Sequence, residues 1–233
     1  MNTLEIAQAL SKKCGSIFKG VYALDQLPST PPPPSSSAPS AYVINTDRHD
    51  KPGMHWVACF LHTTKDIIEY FDSYGLVPLH GEILEFLNRS GCEIKYNKVL
   101  LQDLESNLCG QYCCVYLYYR HRAALDMDDF LRIFSSRSTC QNDYIVQQLF
   151  KTHFDLAIPV ATTTTTSFFS LCHPSSNRTV HSSTCTDTFR QVQTCINRFG
   201  GPTCRVYIER IQTCLKQRQV HQRRGGGGAG GIV

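Results

Sequence analysis

The sequence predicts an α+β fold, in which helices pack on a mixed central sheet. Residues 55–61 and 66–71 are two short apolar stretches that are typical of the strands of a hairpin. A third strand is predicted at residues 93–101, and amphipathic helical patterns lie before the hairpin and after it. A chain of 233 residues with 42% apolar content is long enough to bury a sound core.

Two amphipathic helices are predicted in the first half of the chain. The first spans residues 2–13, and its apolar positions include Leu4, Ile6 and Leu10. The second spans residues 80–89, and three of its side chains are expected to face inward, namely Ile83, Leu84 and Leu87. Both helices are therefore expected to pack against the rest of the domain by one face.

Three more helices are predicted after the third strand. Residues 111–123 are largely apolar on all sides and indicate a buried helix. Residues 126–134 predict a short amphipathic helix with Asp126 as a candidate N-cap, and residues 142–154 predict a longer one. The domain is expected to close near Ile158.

The predicted hairpin brings a histidine and an aspartate together. If Thr63 and Thr64 form the centre of the turn, the numbers of paired residues add up to 127, a condition that His55 and Asp72 meet. These two side chains then become cross-strand neighbours on one face, where the carboxylate can fix the tautomer of the imidazole. The register is an assumption, since Thr-Thr is a poor pair for a tight turn.

Cys109 is the candidate nucleophile. It comes just before the predicted buried helix, where the helix dipole and the unpaired N–H groups favour thiolate over thiol. A neighbouring His55 imidazole would lower the pKa of the thiol further. Gln102 lies seven positions earlier, close enough for its side-chain amide to join the Cys109 N–H in an oxyanion hole.

Taken singly, these residues have structural explanations. A lone His55 is more often a satisfied core histidine, and cysteines such as Cys59, Cys92 and Cys113 are expected to be packing or surface thiols. Four residue types in this order, each in a suitable predicted element, indicate a catalytic set instead. The set comprises a base, its orienter, an oxyanion donor and a nucleophile.

Residues 14–150 resemble the adenovirus endopeptidase (adenain) family of cysteine proteases, including the adenain-like proteases of Maverick (Polinton) elements. The matching segments are KKCGSIFKGVY, AYVINTDRHDKPGMHWVACF, IIEYFDSYG and LLQDLESNLCGQYCCVYLYY. By position, the resemblance implies a base, an acidic partner, an oxyanion donor and a nucleophile. These are His55, Asp72, Gln102 and Cys109.

The resemblance also implies a papain-like, SUMO-protease-like fold with a five-stranded mixed sheet. The implied activity is that of a cysteine endopeptidase that processes viral or virus-like capsid or core precursors at Gly-containing sites. The sequence departs from the family pattern in two places. Asp72 stands where adenoviral members often have glutamate, and the Pro-rich insert between Tyr22 and Tyr42 has no counterpart in the family.

The chemistry itself requires no cofactor, and no metal ligands are assigned. Because adenoviral relatives use DNA and a short disulfide-bonded peptide as activators, the resemblance implies both as candidate cofactors. Cys92 lies near the position of that peptide disulfide. Arg218, Arg223 and Arg224 would suit contacts with DNA phosphates, although a solvated charged helix is the alternative explanation for this basic segment.

Two other functions are open at this stage. A protease that removes SUMO or ubiquitin-like tags uses the same fold and the same Gly-Gly chemistry. A non-catalytic DNA-binding or packaging protein would need the basic tail without any peptide cleavage. The intact set of four candidate residues argues against the second alternative.

The chain is expected to consist of several parts. They are a protease domain at residues 1–158 with a Pro/Ser-rich loop at 28–40, a Thr/Ser-rich linker at 159–183, a basic helical hairpin at 184–220 and a flexible Gly-rich tail at 221–233. Residues 1–159 carry 14 Lys and Arg against 17 Asp and Glu, whereas the remaining residues carry 9 against 2. The net charge of +4 therefore combines an acidic body with a basic tail.

Four cysteines of the tail form a twin C-x9-C pattern around a Gly-Gly-Pro turn. In an antiparallel helical hairpin, Cys185 would pair with Cys214 and Cys195 with Cys204. The spacing resembles the coiled-coil-helix-coiled-coil-helix modules of twin C-x9-C proteins. Reduced thiols on amphipathic helices are the alternative, and a metal site is less favoured because the pattern contains no C-x2-C pair.

The sequence also bears on the compartment. No apolar run reaches membrane-spanning length, and the N-terminal residues lack the pattern of a secretory signal. The irregular spacing of the cysteines in the protease region fits a reducing environment. The product is expected to be a soluble intracellular monomer without a membrane partner, in the virion or host nucleus if viral and otherwise in the nucleus or cytoplasm.

Overall fold

The computed structural model describes residues 1–29, 38–63 and 65–154 of the chain. Within these residues, five strands form a single mixed sheet: β1 (Phe18–Tyr22), β2 (Ser40–Asn45), β3 (Trp56–Leu61), β4 (Ile67–Phe71) and β5 (Glu93–Tyr96). The α-helices are α1 (Thr3–Cys14), α2 (Gly81–Asn88), α3 (Cys109–Arg122), α4 (Met127–Leu131) and α5 (Thr139–Phe154). The predicted α+β class with a five-stranded mixed sheet is confirmed.

Several predicted features lie outside the described residues and stay predictions. They are most of the Pro/Ser-rich loop at 28–40, the linker at 159–183, the helical hairpin at 184–220 with Cys185, Cys195, Cys204 and Cys214, the basic side chains Arg218, Arg223 and Arg224, and the tail at 221–233. In the part of the chain that is described, no helix is both long and apolar enough to cross a membrane.

The strands lie side by side in chain order. β2, β3 and β4 are antiparallel, whereas β1 runs parallel to β2, and β5 runs parallel to β4. A parallel pair needs a crossover connection, and α2 lies in the connection between β4 and β5. β3 is the central strand, and all of its residues are buried.

Helices cover both faces of the sheet. Ala58 and Phe60 of β3 belong to the core that contains side chains of α1, α3 and α5, while Val57 and Cys59 belong to the core that contains side chains of α2. This alternation is the two-residue period of a strand. Because both faces are buried, β3 reads as an unbroken apolar run in the sequence.

Helix α1 begins with a capping box. The side chain of Asn2 accepts a hydrogen bond from the Glu5 N–H at 2.9 Å, and the Glu5 carboxylate accepts one from the Asn2 N–H at 2.8 Å. Of the predicted apolar positions, Ile6 and Leu10 are fully buried, but Leu4 is 65% exposed. Ile6 and Leu10 are four residues apart on one face, whereas Leu4 lies well round the helix from that face.

Helix α2 shows a similar difference within its predicted apolar face. Ile83, Phe86 and Leu87 are fully buried, as expected for residues three and four apart on one face. Leu84 was predicted to face inward, but it is 41% exposed. That prediction is wrong because Leu84 is rotated by about 100° from Ile83, away from the sheet.

The hairpin of β3 and β4 has a different register from the predicted one. Ala58 pairs with Phe71 and Leu61 with Ile68, so paired numbers add up to 129 and the predicted sum of 127 is wrong. The turn closes where the His62 N–H donates to the Ile67 carbonyl at 3.0 Å. Because the error is an even number of positions, the same side chains still share a face of the sheet.

The predicted strand at 93–101 is shorter than expected. β5 ends at Tyr96, so Gln102 lies on an irregular segment and not on a strand. This segment passes very close to Gly75, in the turn after β4. A Cβ on Gly75, whose φ is +67°, would lie only 2.6 Å from the Val99 carbonyl carbon. Only a glycine fits this close approach without strain.

The last three helices follow the prediction with small shifts in their ends. The predicted cap of α4 is confirmed, since the Asp126 side chain accepts a hydrogen bond from the Asp129 N–H at 2.8 Å. Helix α5 begins at Thr139, earlier than the predicted start at residue 142. Most residues of α3 from Gly110 to Leu117 are fully buried between the sheet and helices α1 and α5.

Candidate active site

Cys109 is the first residue of α3. The N-cap residue, Leu108, provides no side-chain hydrogen bond to the helix, so the N–H groups of the first turn are not capped by a side chain. Cys109 is a partly buried residue. Gly110 allows close packing at this point, because a Cβ there would lie 3.2 Å from the Ile6 side chain and 3.4 Å from the Trp56 ring. A helix start of this kind favours a thiolate at Cys109.

His55 immediately precedes β3 and is hydrogen-bonded to Asp72, which immediately follows β4. The distance from His55 Nε2 to Asp72 Oδ1 is 2.8 Å, and both side chains are more than nine-tenths buried. The His55 carbonyl accepts a hydrogen bond from the Thr46 N–H at 2.9 Å, which continues the β2–β3 pairing past the end of the strand. His55 is therefore fixed by hydrogen bonds at both its main chain and its imidazole.

Cys109 interacts with the His55 ring and with the Trp56 main-chain N–H, and both interactions lower the pKa of its thiol. Because His55 Nε2 faces Asp72, Nδ1 is the ring nitrogen left for the sulfur. The Trp56 indole N–H in turn donates to the Met1 carbonyl at 3.2 Å. His55 thus lies between Cys109 and Asp72 and interacts with both.

The pKa values of this pair are shifted in opposite directions. Burial opposes ionisation of Cys109, but the hydrogen bond and charge of His55 outweigh burial and hold the pKa of the thiol below its ordinary value. Burial also opposes the charged form of His55, yet the charge and hydrogen bond of Asp72 and the contact with Cys109 raise its pKa to about 10. Both shifts favour the form of the pair in which Cys109 is a thiolate and His55 an imidazolium.

Asp72 is itself held by two residues that the sequence patterns did not single out. Asn97 accepts a hydrogen bond from the Asp72 N–H at 2.9 Å and donates one to the Asp72 carbonyl at 2.7 Å. The Tyr74 N–H donates to Asp72 Oδ1 at 2.7 Å. Asn97 follows β5 directly, so its amide continues the β4–β5 pairing by one residue.

Tyr74 also contacts the imidazole. Its ring stacks on His55 with the centroids 4.6 Å apart and an angle of 21° between the planes. The observed register explains this contact. If the pairing of Ala58 with Phe71 continued beyond the strand ends, His55 would lie opposite Tyr74, since their numbers also add up to 129. The predicted register placed Asp72 opposite His55, and the true register makes it a diagonal neighbour, still on the same face.

Gln102 is fully buried beside the turn that carries Asp72. Its Oε1 accepts a hydrogen bond from the Ser73 hydroxyl at 2.7 Å, and its Nε2 donates to the Ser106 carbonyl at 2.9 Å. Nε2 also lies 3.5 Å from the Tyr74 hydroxyl. The structure thus connects Gln102 to the acidic turn, and its role as oxyanion donor stays a prediction.

Helix α5 supports the segment that carries Gln102. Asn142 donates to the Leu101 carbonyl at 3.2 Å, and Asp143 accepts hydrogen bonds from the Tyr112 hydroxyl at 2.9 Å and the Asp103 N–H at 3.3 Å. Burial raises the pKa of Asp143 to about 6. The segment is therefore fixed from α3 and α5 as well as from the acidic turn.

Three other cysteines near the site differ sharply from Cys109. Cys59, Cys113 and Cys114 are fully buried free thiols, and burial raises the pKa of each. Such thiols are poor nucleophiles. Cys92 is a partly buried free thiol whose Sγ lies 3.6 Å from the Ser90 carbonyl, and its role in a peptide disulfide stays a prediction.

A second buried charged cluster joins the other end of α3 to the hairpin. Arg120 donates to both oxygens of Glu69, at 2.6 and 3.2 Å, and the Tyr116 hydroxyl donates to Glu69 at 2.5 Å. His62 Nε2 lies 2.7 Å from an Arg120 nitrogen and 3.2 Å from Glu69. The cluster holds α3 against β3 and β4, the two strands that carry His55 and Asp72 at their ends.

No known family model matches the chain. Among curated proteins, the chain is 32% identical over 122 residues to the cysteine protease of African swine fever virus, covering 48% of this chain and 41% of that protein. It is 31% identical over 127 residues to a protein of Acanthamoeba polyphaga mimivirus that is named as a thiol protease, with the same coverages of 48% and 41%. The matched region is thus 41% of the length of these relatives.

Among solved structures, the chain is similar to a crystal structure of the African swine fever virus protease. The TM-score is 0.46, with 20% identity over 66% of each chain. A selenomethionine crystal structure of the same protease gives a TM-score of 0.37, with 27% identity over 50% of this chain and 43% of that one.

Proposed function

We propose that this chain is a cysteine endopeptidase that uses Cys109, His55 and Asp72. One observation carries the proposal. Cys109, a partly buried residue at the start of α3, interacts with the buried imidazole of His55, which lies 2.8 Å from the buried carboxylate of Asp72. The similarity to two viral proteins named as cysteine and thiol proteases supports the same activity.

The reaction follows from the thiolate and imidazolium form of the pair. The Cys109 thiolate attacks the scissile carbonyl carbon, and the carbonyl π electrons move to oxygen. The Cys109 N–H and the Gln102 amide stabilise that oxyanion. His55 then gives its proton to the leaving amine, which leaves a thioester on Cys109 and a neutral imidazole. Water loses a proton to His55 as it hydrolyses the thioester, and the thiolate and imidazolium are restored.

We further propose that the substrates are viral or virus-like capsid or core precursors cut at Gly-containing sites. The resemblance to the adenain family and the viral origin of both named relatives support this class of substrate. Activation by DNA, and by a basic peptide disulfide-bonded to Cys92, belongs to the same proposal. A SUMO-protease-like fold would also accept a glycine next to the scissile bond.

The first test is selective alkylation of the purified full-length protein with iodoacetamide near neutral pH. Wild type, Cys109→Ala and His55→Ala are compared by intact mass and peptide mapping, with Cys92→Ser as the matched control for a partly buried cysteine outside the catalytic set. We expect fast labelling at Cys109 that slows without His55. Labelling of Cys109 no faster than that of Cys92, with and without DNA, would contradict the proposal.

The second test measures turnover and substrate class together. Fluorogenic peptides with an internal Gly-Gly bond are compared with a ubiquitin-like tag fused to a fluorophore. We expect cleavage of the peptides at the carboxyl side of glycine, with no cleavage by Cys109→Ala. Cleavage of the tag fusion alone would instead identify a tag-removing protease with the same catalytic residues.

A further inference from the structure

The Gln102 side chain has a defined orientation that can be read from its partners. One end of the amide lies 2.9 Å from the Ser106 carbonyl oxygen, which only accepts hydrogen bonds. That end must therefore be the NH2 group, Nε2. The other end, Oε1, lies 2.7 Å from the Ser73 hydroxyl, so the hydroxyl donates to it. Ser73 is fully buried, as is Gln102.

Ser73 holds the main chain of the same segment. Its carbonyl oxygen accepts hydrogen bonds from the Leu101 N–H at 2.9 Å and from the Gln102 N–H at 3.0 Å. One residue thus makes three hydrogen bonds to the segment that carries Gln102. Since Ser73 follows Asp72 directly, the turn that orients His55 through Asp72 is also bonded to the side chain and the main chain of Gln102.

We propose that Ser73 is a positioning residue, whose hydroxyl keeps the Nε2 end of Gln102 facing the developing oxyanion. The inference rests on the proposed function, because an oxyanion donor matters only where a tetrahedral intermediate forms. A glutamine amide offers a donor at one end and an acceptor at the other, and the two ends are nearly equal in size. A flipped amide would present Oε1 to the oxyanion and destabilise it.

The Tyr74 hydroxyl is placed to limit the motion of the same amide. It lies 3.5 Å from Gln102 Nε2, and the Tyr74 ring stacks on His55. This contact is long for a hydrogen bond, so it restrains Nε2 less strongly than Ser106 does. The second N–H of Nε2 is therefore the less tightly bonded of the two.

Two probes of Cys109 separate oxyanion binding from thiolate formation. Iodoacetamide reacts by displacement of iodide at carbon, and no oxyanion forms. A peptide aldehyde such as acetyl-Gly-Gly-glycinal reacts by addition, in which Cys109 Sγ bonds to the carbonyl carbon and the π electron pair moves to oxygen. The resulting hemithioacetal oxygen takes the position of the oxyanion and then receives a proton from the imidazolium.

The test compares both probes on full-length wild type and Ser73→Ala. We expect the dissociation constant of the aldehyde adduct to rise about 10- to 100-fold, because small displacements of a positioned group have effects of that size. The alkylation rate constant of Cys109 should stay within about twofold, since the hydrogen bonds among Cys109, His55 and Asp72 do not include Ser73. For the hydrolysis of peptides, kcat should fall while KM is unchanged.

Ser90→Ala is the matched control. Ser90 is buried like Ser73, and its hydroxyl donates to the Leu87 carbonyl at 2.6 Å at the end of α2. The two substitutions remove one buried hydroxyl donor each, but only one of these donors points at Gln102. We expect Ser90→Ala to bind the aldehyde as the wild type does, even where the loss of stability in urea is comparable.

A double-mutant cycle with Gln102→Ala decides whether Ser73 acts through Gln102. In the Gln102→Ala background, Ser73→Ala should cause no further loss of aldehyde affinity. An equal loss in both backgrounds, or an unchanged dissociation constant for Ser73→Ala, would overturn the inference. Ser73→Cys, which keeps a weak donor of similar size, should give an intermediate dissociation constant and serves as the second variant if Ser73→Ala does not fold.

Failure of the proposed function has a different signature. A wild-type protein whose Cys109 is alkylated no faster than Cys92 and that forms no aldehyde adduct would overturn the proposed function, and this inference with it. Fast alkylation and a tight wild-type adduct, together with unchanged Ser73→Ala, would leave the proposed function standing and remove only the role of Ser73.

Discussion

The two ends of α3 are joined to the β3–β4 hairpin by buried charged clusters of similar composition and different character. At the start of the helix, Cys109 interacts with His55, which is hydrogen-bonded to Asp72. At its end, Arg120 meets a histidine and a glutamate. His55 precedes the first residue of β3 and His62 follows its last residue. Both clusters therefore link the same helix to the same two strands.

The two clusters differ in which of their groups can gain or lose a proton and in how deeply those groups are buried. A guanidinium keeps its charge in proteins, and Glu69 accepts hydrogen bonds from Arg120 and Tyr116, so this cluster is a fixed ion pair. In the other cluster, the charge on both Cys109 and His55 depends on a proton, and Cys109 is only partly buried. The buried and fully paired charge of Arg120 therefore suits a structural role. The titratable pair of Cys109 and His55 suits a catalytic role.

The largest effect is expected for Cys109→Ala. Peptide hydrolysis should fall by at least about 10⁴-fold, because the nucleophile is lost. The free energy of unfolding should change by less than about 1 kcal/mol, because Cys109 is only partly buried and His55 keeps its bond to Asp72. Steady-state rates and urea unfolding measure the two quantities. Cys92→Ser is the control and should keep full activity under reducing conditions.

The opposite pattern is expected for Glu69→Ala. Removing this carboxylate leaves the Arg120 charge buried and unpaired, which should lower the free energy of unfolding by about 3–5 kcal/mol. The matched control is Glu85→Ala, which breaks an exposed pair with Arg89 four residues along α2 and should change stability by about 0.3–0.5 kcal/mol. Equal effects of the two substitutions in urea unfolding would contradict the view that burial gives the Glu69 pair its weight.

The Glu69 cluster also predicts a dependence of stability on pH. Burial acts to raise the pKa of Glu69, but hydrogen bonds from His62 and Tyr116 and the charge of Arg120 outweigh burial and lower it. A lowered folded-state pKa means that this stabilisation is present at neutral pH and is lost as the pH falls through that pKa. The stability of Glu69→Ala should therefore depend less on pH in the acid range than that of the wild type.

Asp72→Asn should change the pH profile of activity. The rate should rise as Cys109 loses its proton below the ordinary pKa of a thiol, and fall as His55 loses its proton at a pH of about 10. Asp72 is the main group that raises the pKa of His55, so its loss should move the falling limb to lower pH by at least about one unit. The profile of kcat/KM against pH measures this shift. A falling limb at the same pH as in the wild type would show that the pKa of His55 does not depend on Asp72.

The smallest effect is expected for His62→Gln. This side chain contacts Arg120 and Glu69, so its replacement should lower the free energy of unfolding by about 1 kcal/mol through altered hydrogen bonds. The pH profile of hydrolysis should be the same as that of the wild type. A shifted profile would mean that the two ends of α3 are coupled and would weaken the comparison between them.

Part of the geometry of the candidate site could be predicted from local sequence. The position of Cys109 before a buried helix, and the alternation of β3, follow from patterns within a few residues. The predicted pairing sum was wrong by two, yet His55 and Asp72 still meet because strand side chains alternate with a period of two. An odd error would have placed them on opposite faces.

The contacts that orient these side chains could not be predicted in the same way. β5 ends at Tyr96, earlier than predicted, and the Asn97 side chain that follows bonds to the main chain of Asp72, 25 positions away. Similarly, 29 positions separate Ser73 from Gln102, and 51 separate Glu69 from Arg120. No periodicity in the sequence links such pairs.

The kinds of residue in the candidate site and their order along the chain are properties of the amino-acid sequence, because helix dipoles and strand alternation act over a few residues. The direction in which the Gln102 amide points, the stacking of Tyr74 on His55 and the burial of the Arg120 charge arise only when distant segments pack together. These features depend on loop closure and on the fit of α3 against the sheet, where short distances between distant residues determine which hydrogen bonds form.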